Sequence, residues 1–135
     1  MKKVLVGFDG SEGSENALNK AMMIMDEGGE LIVLAVVPLP SEKNFVDQKT
    51  YELMKQKAKN IVDSVLQDVG RHEYDVTGMI EEGDIAAKII DIANSLQCDI
   101  IVLGSKGASE LGTYPIGSIA NKVVQYAHKP VMIVR

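Results

Sequence analysis

Two glycine-bearing stretches near the end of the chain hold the residues best suited to chemistry. Gly104-Ser105-Lys106-Gly107 is followed, after nine residues, by Gly117-Ser118. Glycine lets a backbone come close to a bulky ligand, because no Cβ stands in the way. Gly117-Ser118 opens a segment with helical spacing. The start of a helix offers N–H groups and the positive end of the dipole to an anion. The Ser118 hydroxyl adds a donor for a phosphate oxygen, and Lys106 adds charge. Together these residues describe a phosphate cradle. They also fit a plainer role, in which the glycines turn the chain, Ser118 caps a helix and Lys106 points into water.

Asp9 is the second candidate, at the end of the apolar run Val4-Leu5-Val6-Gly7-Phe8. A carboxylate there can bind a sugar hydroxyl or a metal, or it can cap the Gly10-Ser11 turn. Glu81 and Glu82 follow a strand and read as two solvated loop carboxylates rather than an acid or metal site. Cys98 has no histidine near it in sequence and reads as a small semi-buried residue. His72 reads as a surface loop residue. His128 closes the last helix, where a partial positive charge suits the dipole. No Ser/His/Asp or Cys/His set can be assembled, so neither a catalytic residue nor a metal site is assigned.

The elements that must position these residues alternate between two hydrophobic rhythms. Val4 to Phe8 is a continuous apolar run, the mark of a strand covered on both faces. Ser11 then caps a helix with Ala17, Leu18, Ala21, Met22 and Met25 inside, which Gly28-Gly29 ends. Leu31 to Val37 is a second strand, stopped by Pro38. Tyr51, Met54, Ala58, Ile61, Val62, Val65 and Val69 mark one face of a long helix closed by Gly70. Tyr74 to Ile80 is a third strand, placed at a sheet edge. Asp84 caps a helix buried through Ile85, Ile89, Ile90, Ala93 and Leu96. Asp99 to Leu103 reads as a central strand. Ile116, Ala120, Val123, Val124 and Ala127 define a fourth helix, and Val131 to Val134 is the last strand.

This alternation predicts an α/β fold, a doubly wound parallel sheet of five strands with helices on both faces. In such sheets ligands sit beyond the carboxyl ends of the strands, where strand order reverses. The positions to inspect are Phe8-Asp9-Gly10, Val36-Val37-Pro38, Glu81-Glu82-Gly83 and Gly104 onward. The glycine spacing is neither the P-loop G-x-x-x-x-G-K-[ST] nor the dinucleotide fingerprint G-x-G-x-x-G.

The spacing Gly104-x2-Gly107-x9-Gly117-Ser118 resembles the G-x2-G-x9-G-[ST] motif of the ATP-binding branch of the universal stress protein family. The likeness runs through nearly the whole chain: Val4 to Ser11, Gly83-Asp84-Ile85, Asp99 to Ser105 and Pro130 to Val134 all resemble family segments. Ala35 and Ala108 depart from it, where the family often has histidine and arginine. The resemblance implies a Rossmann-like sheet of order 3-2-1-4-5. It implies that Gly104, Gly107, Gly117 and Ser118 hold ribose and phosphates, with Ile119 adding a backbone contact. Asp9, beside Phe8 at the end of the first strand, would face the adenosine. Val36 would contact adenine, and Leu103 would help line the pocket. It further implies ATP as ligand, with Mg2+ as a possible companion, and a homodimer joined through Val131 to Val134. An uncharged apolar edge of that kind invites pairing.

No general base is placed to activate water, so slow hydrolysis at most is expected. A phosphoacceptor receiver domain, another small doubly wound fold, needs an acidic pair and a lysine after the last strand. Asp9 has no acidic neighbour, and Lys129-Pro130 precedes the last strand. A dimeric interaction module that works without nucleotide is the other alternative.

Composition narrows the classes further. The 135 residues make one domain, and 46% hydrophobic residues suffice for one core. A net charge of -5, without a Lys/Arg block, lacks the basic footprint of a nucleic-acid binder. One cysteine excludes an internal disulfide framework. The longest apolar runs, such as Leu31 to Leu39, are too short to cross a bilayer. Met1-Lys2-Lys3 opens no secretory signal, so a soluble cytoplasmic protein is the expectation.

Overall fold

Segments rich in β-branched residues and leucine make the strands, and each is followed by a helix except the last. The computed structural model describes residues 1–40, 46–106 and 116–135. In chain order the elements are β1 (Lys3–Gly7), α1 (Glu12–Met23), β2 (Glu30–Val37), α2 (Gln48–Val69), β3 (Asp75–Glu82), α3 (Ile85–Ser95), β4 (Ile100–Gly104), α4 (Ser118–Tyr126) and β5 (Val131–Val134). All strand pairs are parallel, in the order β3-β2-β1-β4-β5. This is the doubly wound sheet expected from the sequence, with β1 and β4 side by side where the order reverses.

The unbroken apolar runs have a direct cause, since helices cover both faces of the sheet. On one face Val4, Val6, Leu31, Val33, Ile100 and Val102 pack with Ala17, Leu18 and Ala21 of α1 and Val65 of α2. On the other, Leu5, Ile32, Leu34, Ile101 and Leu103 pack with Ala86, Ile89 and Ala93 of α3 and Ala120 and Val123 of α4. Burying each valine, leucine or isoleucine among them contributes on the order of 1.5–3 kcal/mol, so the sheet is a firm platform for whatever lies at its end.

All four described helices start at side-chain or glycine caps at the carboxyl end of the sheet; for α2 the Asp47 carboxylate accepts from the Thr50 N–H at 2.7 Å. The Ser11 hydroxyl accepts from the Ser14 N–H at 3.2 Å, and the Asp84 carboxylate accepts from the Ala87 N–H at 3.0 Å. For α4 the cap is Gly117, which makes no side-chain hydrogen bond. Ser118 is therefore the first helical residue and not the cap.

Several boundaries differ from the sequence expectation. α1 stops at Met23, five residues before Gly28. The glycines serve the turn into β2 instead: Gly28 has φ of 77°, and a Cβ on Gly29 would lie 2.5 Å from the Lys2 carbonyl oxygen. β3 runs on through Glu81 and Glu82, which pair in register with Val36 and Val37. These two residues belong to the sheet, not to a loop. Glu82 accepts the Tyr51 hydroxyl, and the Glu81 carboxylate lies 4.0 Å from Lys88 Nζ. Ile116 lies outside α4, and Val124 is exposed, so both leave the buried face assigned to them.

Candidate functional site

At the carboxyl ends of β1, β2 and β4 the sheet opens into a cleft of about 480 Å3. Phe8, Asp9, Val36, Leu103, Gly104, Gly117, Ser118 and Ile119 all line it. Gly107 lies outside the described residues. Eight of the nine residues named from the sequence thus border one cavity, although they are spread over more than a hundred positions of chain. The cause is topological: β1 and β4 are neighbours with their helices on opposite faces, so their carboxyl ends diverge into a crevice.

The cleft has two unlike sides. Val36 and Pro38 at the end of β2 join Met54 of α2 in an apolar wall, to which α3 adds Ile85 and Ile89. Gly104, Ser105 and Lys106 at the end of β4 face the start of α4 at Gly117, Ser118 and Ile119. Between them stand Asp9 and, from α1, Ser11 and Ser14. A shallower hollow of about 230 Å3 shares Phe8, Asp9, Val36, Pro38 and Met54 and reaches Lys57, Ala58 and Ile61 of α2.

Each predicted residue has a defined local role. Phe8 is buried, and its N–H donates to the Leu34 carbonyl at 2.8 Å. The Asp9 carboxylate accepts from the Ser11 N–H at 2.9 Å, closing the turn that Gly10 makes with φ of 85°. Asp9 therefore does cap this turn, and it borders the cleft as well. The Gly117 N–H donates to the Ser105 carbonyl. That amide is already engaged, so an anion at this end would meet the amides that follow it in α4. Gly104 also differs from expectation. Its missing Cβ faces the backbone of Gly13, 2.6 Å away, and not the open cleft.

Sequence reasoning left Met54, Ile85 and Ile89 on buried helix faces and missed them, together with Ser14, as lining residues. Gly13 was not singled out at all. The switch-point rule carried the missing signal for Ser14: helices that follow strands at such a point start beside the cleft.

Among the described residues the charged groups at the rim are few. Asp9 and Lys106 line the main cleft, and Lys57 the hollow beside it. Behind the apolar wall, the hydrogen bond to Glu82 and then burial push the Tyr51 phenol up to about 12. Lys55 Nζ lies 5.3 Å from the Tyr51 ring centre and 3.9 Å from the Glu82 carboxylate. Cys98 precedes β4 at the opposite end of the sheet, and burial pushes its thiol pKa up. His72 is also remote from the cleft, stacked on Tyr74 with ring centres 5.0 Å apart. Among the described residues no group of three or more His, Cys, Asp or Glu could hold a metal ion. Nor, among them, is any helix long and apolar enough to cross a membrane.

A doubly wound α/β domain with an amphipathic cleft at its switch point is a class of ligand-binding fold. The family within that class is fixed by comparison. The family model described as the universal stress protein family matches residues 1–135, and the chain belongs to that family. It is 30% identical to universal stress protein YxiE of Bacillus subtilis over 146 aligned residues, covering 98% of each chain. The solved universal stress protein UspA from Lactobacillus plantarum superposes with a TM-score of 0.82 at 25% identity, covering 98% of this chain and 96% of that one. Two more distant proteins share the fold. One is a universal stress protein in complex with cAMP, at TM-score 0.67 and 20% identity, covering 98% of this chain and 95% of that one. The other is an Arabidopsis thaliana family protein with AMP bound, at 0.66 and 14%, covering 99% and 91%.

Proposed function

We propose that this universal stress protein binds ATP in the switch-point cleft and acts as a homodimeric regulator in the stress response, with slow hydrolysis at most. The observation that carries the reading is the cleft's two-sided lining, apolar at β2 and amide-rich at α4. A volume of about 480 Å3 falls within the range typical of small-ligand sites. Val36 and Leu103 contact the base, with Pro38 and Met54 completing that wall. Asp9 accepts a ribose hydroxyl. Ser118, Ile119 and the dipole of α4 hold phosphate oxygens, and the bare Cα of Gly117 leaves them room. Gly107, the second motif position, lies outside the described residues, and the family resemblance implies that it joins this set. Relatives of the same fold that carry AMP and cAMP support an adenine nucleotide as the ligand class.

Mg2+ fits as a companion of the nucleotide and not as a resident metal. It is usually held by one or two carboxylates together with phosphates and water, and Asp9 is the one carboxylate among the described lining residues. Its contribution would be to neutralise phosphate charge. Slow hydrolysis at most, with storage or sensing over turnover, is carried over from the sequence, in which no general base for water is evident.

The dimer reading rests on the two sheet edges. β3 carries Asp75, Glu81 and Glu82, charges that discourage strand addition, whereas β5 is Val131-Met132-Ile133-Val134. Beside β5, Val124 and Tyr126 of α4 are 48% and 67% exposed. Light scattering on a sizing column tests it, and a monomer mass would refute it.

The nucleotide reading is tested by denaturing purified protein and chromatographing the released small molecules, then titrating the emptied protein with Mg-ATP. Adenine nucleotide in the supernatant and a saturating titration are expected. Neither, at millimolar ATP, would leave a nucleotide-independent dimeric module as the better reading.

A further inference from the structure

Gly13 is the second residue of α1, a place where glycine gives up helix propensity relative to alanine. Space explains its presence. A Cβ on Gly13 would lie 2.6 Å from the Lys106 carbonyl oxygen. From the other side, a Cβ on Gly104 would lie 2.6 Å from both the carbonyl carbon and the oxygen of Gly13. Both obstacles are backbone, which cannot swing aside as the tip of a side chain can. The first turn of α1 and the end of β4 therefore meet backbone to backbone.

The contact continues beyond this seam. The Ser105 N–H donates to the Val134 carbonyl at 2.8 Å, and the Ser105 carbonyl accepts from the N–H of Gly117, the cap of α4. Residues 104–106 thus tie together α1, β5 and the start of α4. Gly13 itself does not line the cleft.

We infer that Gly13 is a positioning residue for the anion end of the cleft. By letting α1 sit against Gly104 and Lys106, it sets where α4 begins and so where Ser118 and the first amides of that helix stand. The inference rests on the nucleotide reading above and takes it further: preference for a nucleoside polyphosphate over a bare nucleoside depends on a residue outside the contact set. A methyl group at position 13 displaces Lys106 and Ser105, and Gly117 moves with them. Val36, Pro38 and Met54, across β1 on β2 and α2, stay in place.

The test titrates wild type and Gly13→Ala with ATP and with adenosine, and follows hydrogen exchange at the Gly117 amide by NMR. In the wild type that amide is protected as strand amides are. In Gly13→Ala its protection falls roughly tenfold or more. ATP affinity falls roughly tenfold or more, while adenosine affinity holds within about threefold. An equal fall in both affinities, or unchanged ATP binding in a folded variant, overturns the inference. Wild type that binds neither ligand refutes the nucleotide reading, and the exchange readout, which needs no ligand, still decides the seam. If Gly13→Ala does not fold, the wild-type amide decides: protection at Gly117 supports the inference, and exchange at the unprotected rate overturns it.

Discussion

The β4 side of the cleft is made of backbone, and the β2 side is made of side chains. On the first, Gly13 and Gly104 touch without Cβ atoms, Ser105 ties β5 to Gly117, and α4 begins on a glycine cap. On the second, Val36, Pro38 and Met54 form an apolar wall, with Tyr51 bound to Glu82 behind it. Backbone packing leaves no slack, because any Cβ forces a main-chain shift. Side-chain walls give way by repacking. The two sides should therefore fail differently. Damage at β4 should be steep and selective for phosphate, and damage at β2 should be shallow and shared by every adenine ligand.

The steepest break is Gly117→Val. The cap residue has φ of -72° and ψ of 168°, angles open to any residue, so the backbone tolerates valine. On the nucleotide reading, the added bulk lies where phosphate approaches. ATP affinity should fall by roughly 100-fold, about 2.8 kcal/mol, with adenosine affected far less. Calorimetry with both ligands checks this, and normal ATP binding would show the anion end to be misplaced. Met54→Ala probes the other side. Removing part of a half-buried wall costs about 1 kcal/mol, roughly fivefold, for ATP and adenosine alike. A loss confined to ATP would erase the contrast between the two sides.

The same contrast decides what could be read from the sequence. Glycine spacing is visible because glycine suits turns and close backbone approaches, and so Gly104 and Gly117 stood out. Their uses still differed from expectation: Gly104 faces α1, and the Gly117 amide is already bonded to Ser105. Gly13 was hidden, since one glycine in the first turn of a helix looks like a weak helix former until β4 is laid against it. The sheet order 3-2-1-4-5 agrees with what the family resemblance implied. The alternating pattern alone gave the parallel sheet without its order. Met54 could not be told from any core methionine, because periodicity says which face is buried and not whether a cavity interrupts it. Glu81 and Glu82 were read as loop residues because charge at the end of an apolar run resembles an exit from the sheet. On an edge strand one flank is open, and carboxylates can stay in register there.

The smallest break is Tyr51→Phe, which keeps the ring and removes the hydroxyl that α2 donates to Glu82 on β3. The Glu82 carboxylate keeps Lys55 at 3.9 Å, so it is not stranded. Met54, one turn along α2, shifts only slightly, and ATP affinity should change by no more than about twofold. The pH dependence is the sharper signature. The hydrogen bond to Glu82, then burial and the charges of Glu82 and Glu52, raise the Tyr51 pKa from 10.0 to about 12, so the native state holds this proton more tightly than the unfolded chain does. Its contribution to stability is complete below pH 10 and is lost as pH climbs towards 12. Denaturant titrations should find wild type more stable than Tyr51→Phe at neutral pH, with the gap closing across that alkaline window. A gap that stays constant throughout would mean that Tyr51 holds α2 by its ring alone, leaving the β2 side without a polar tie.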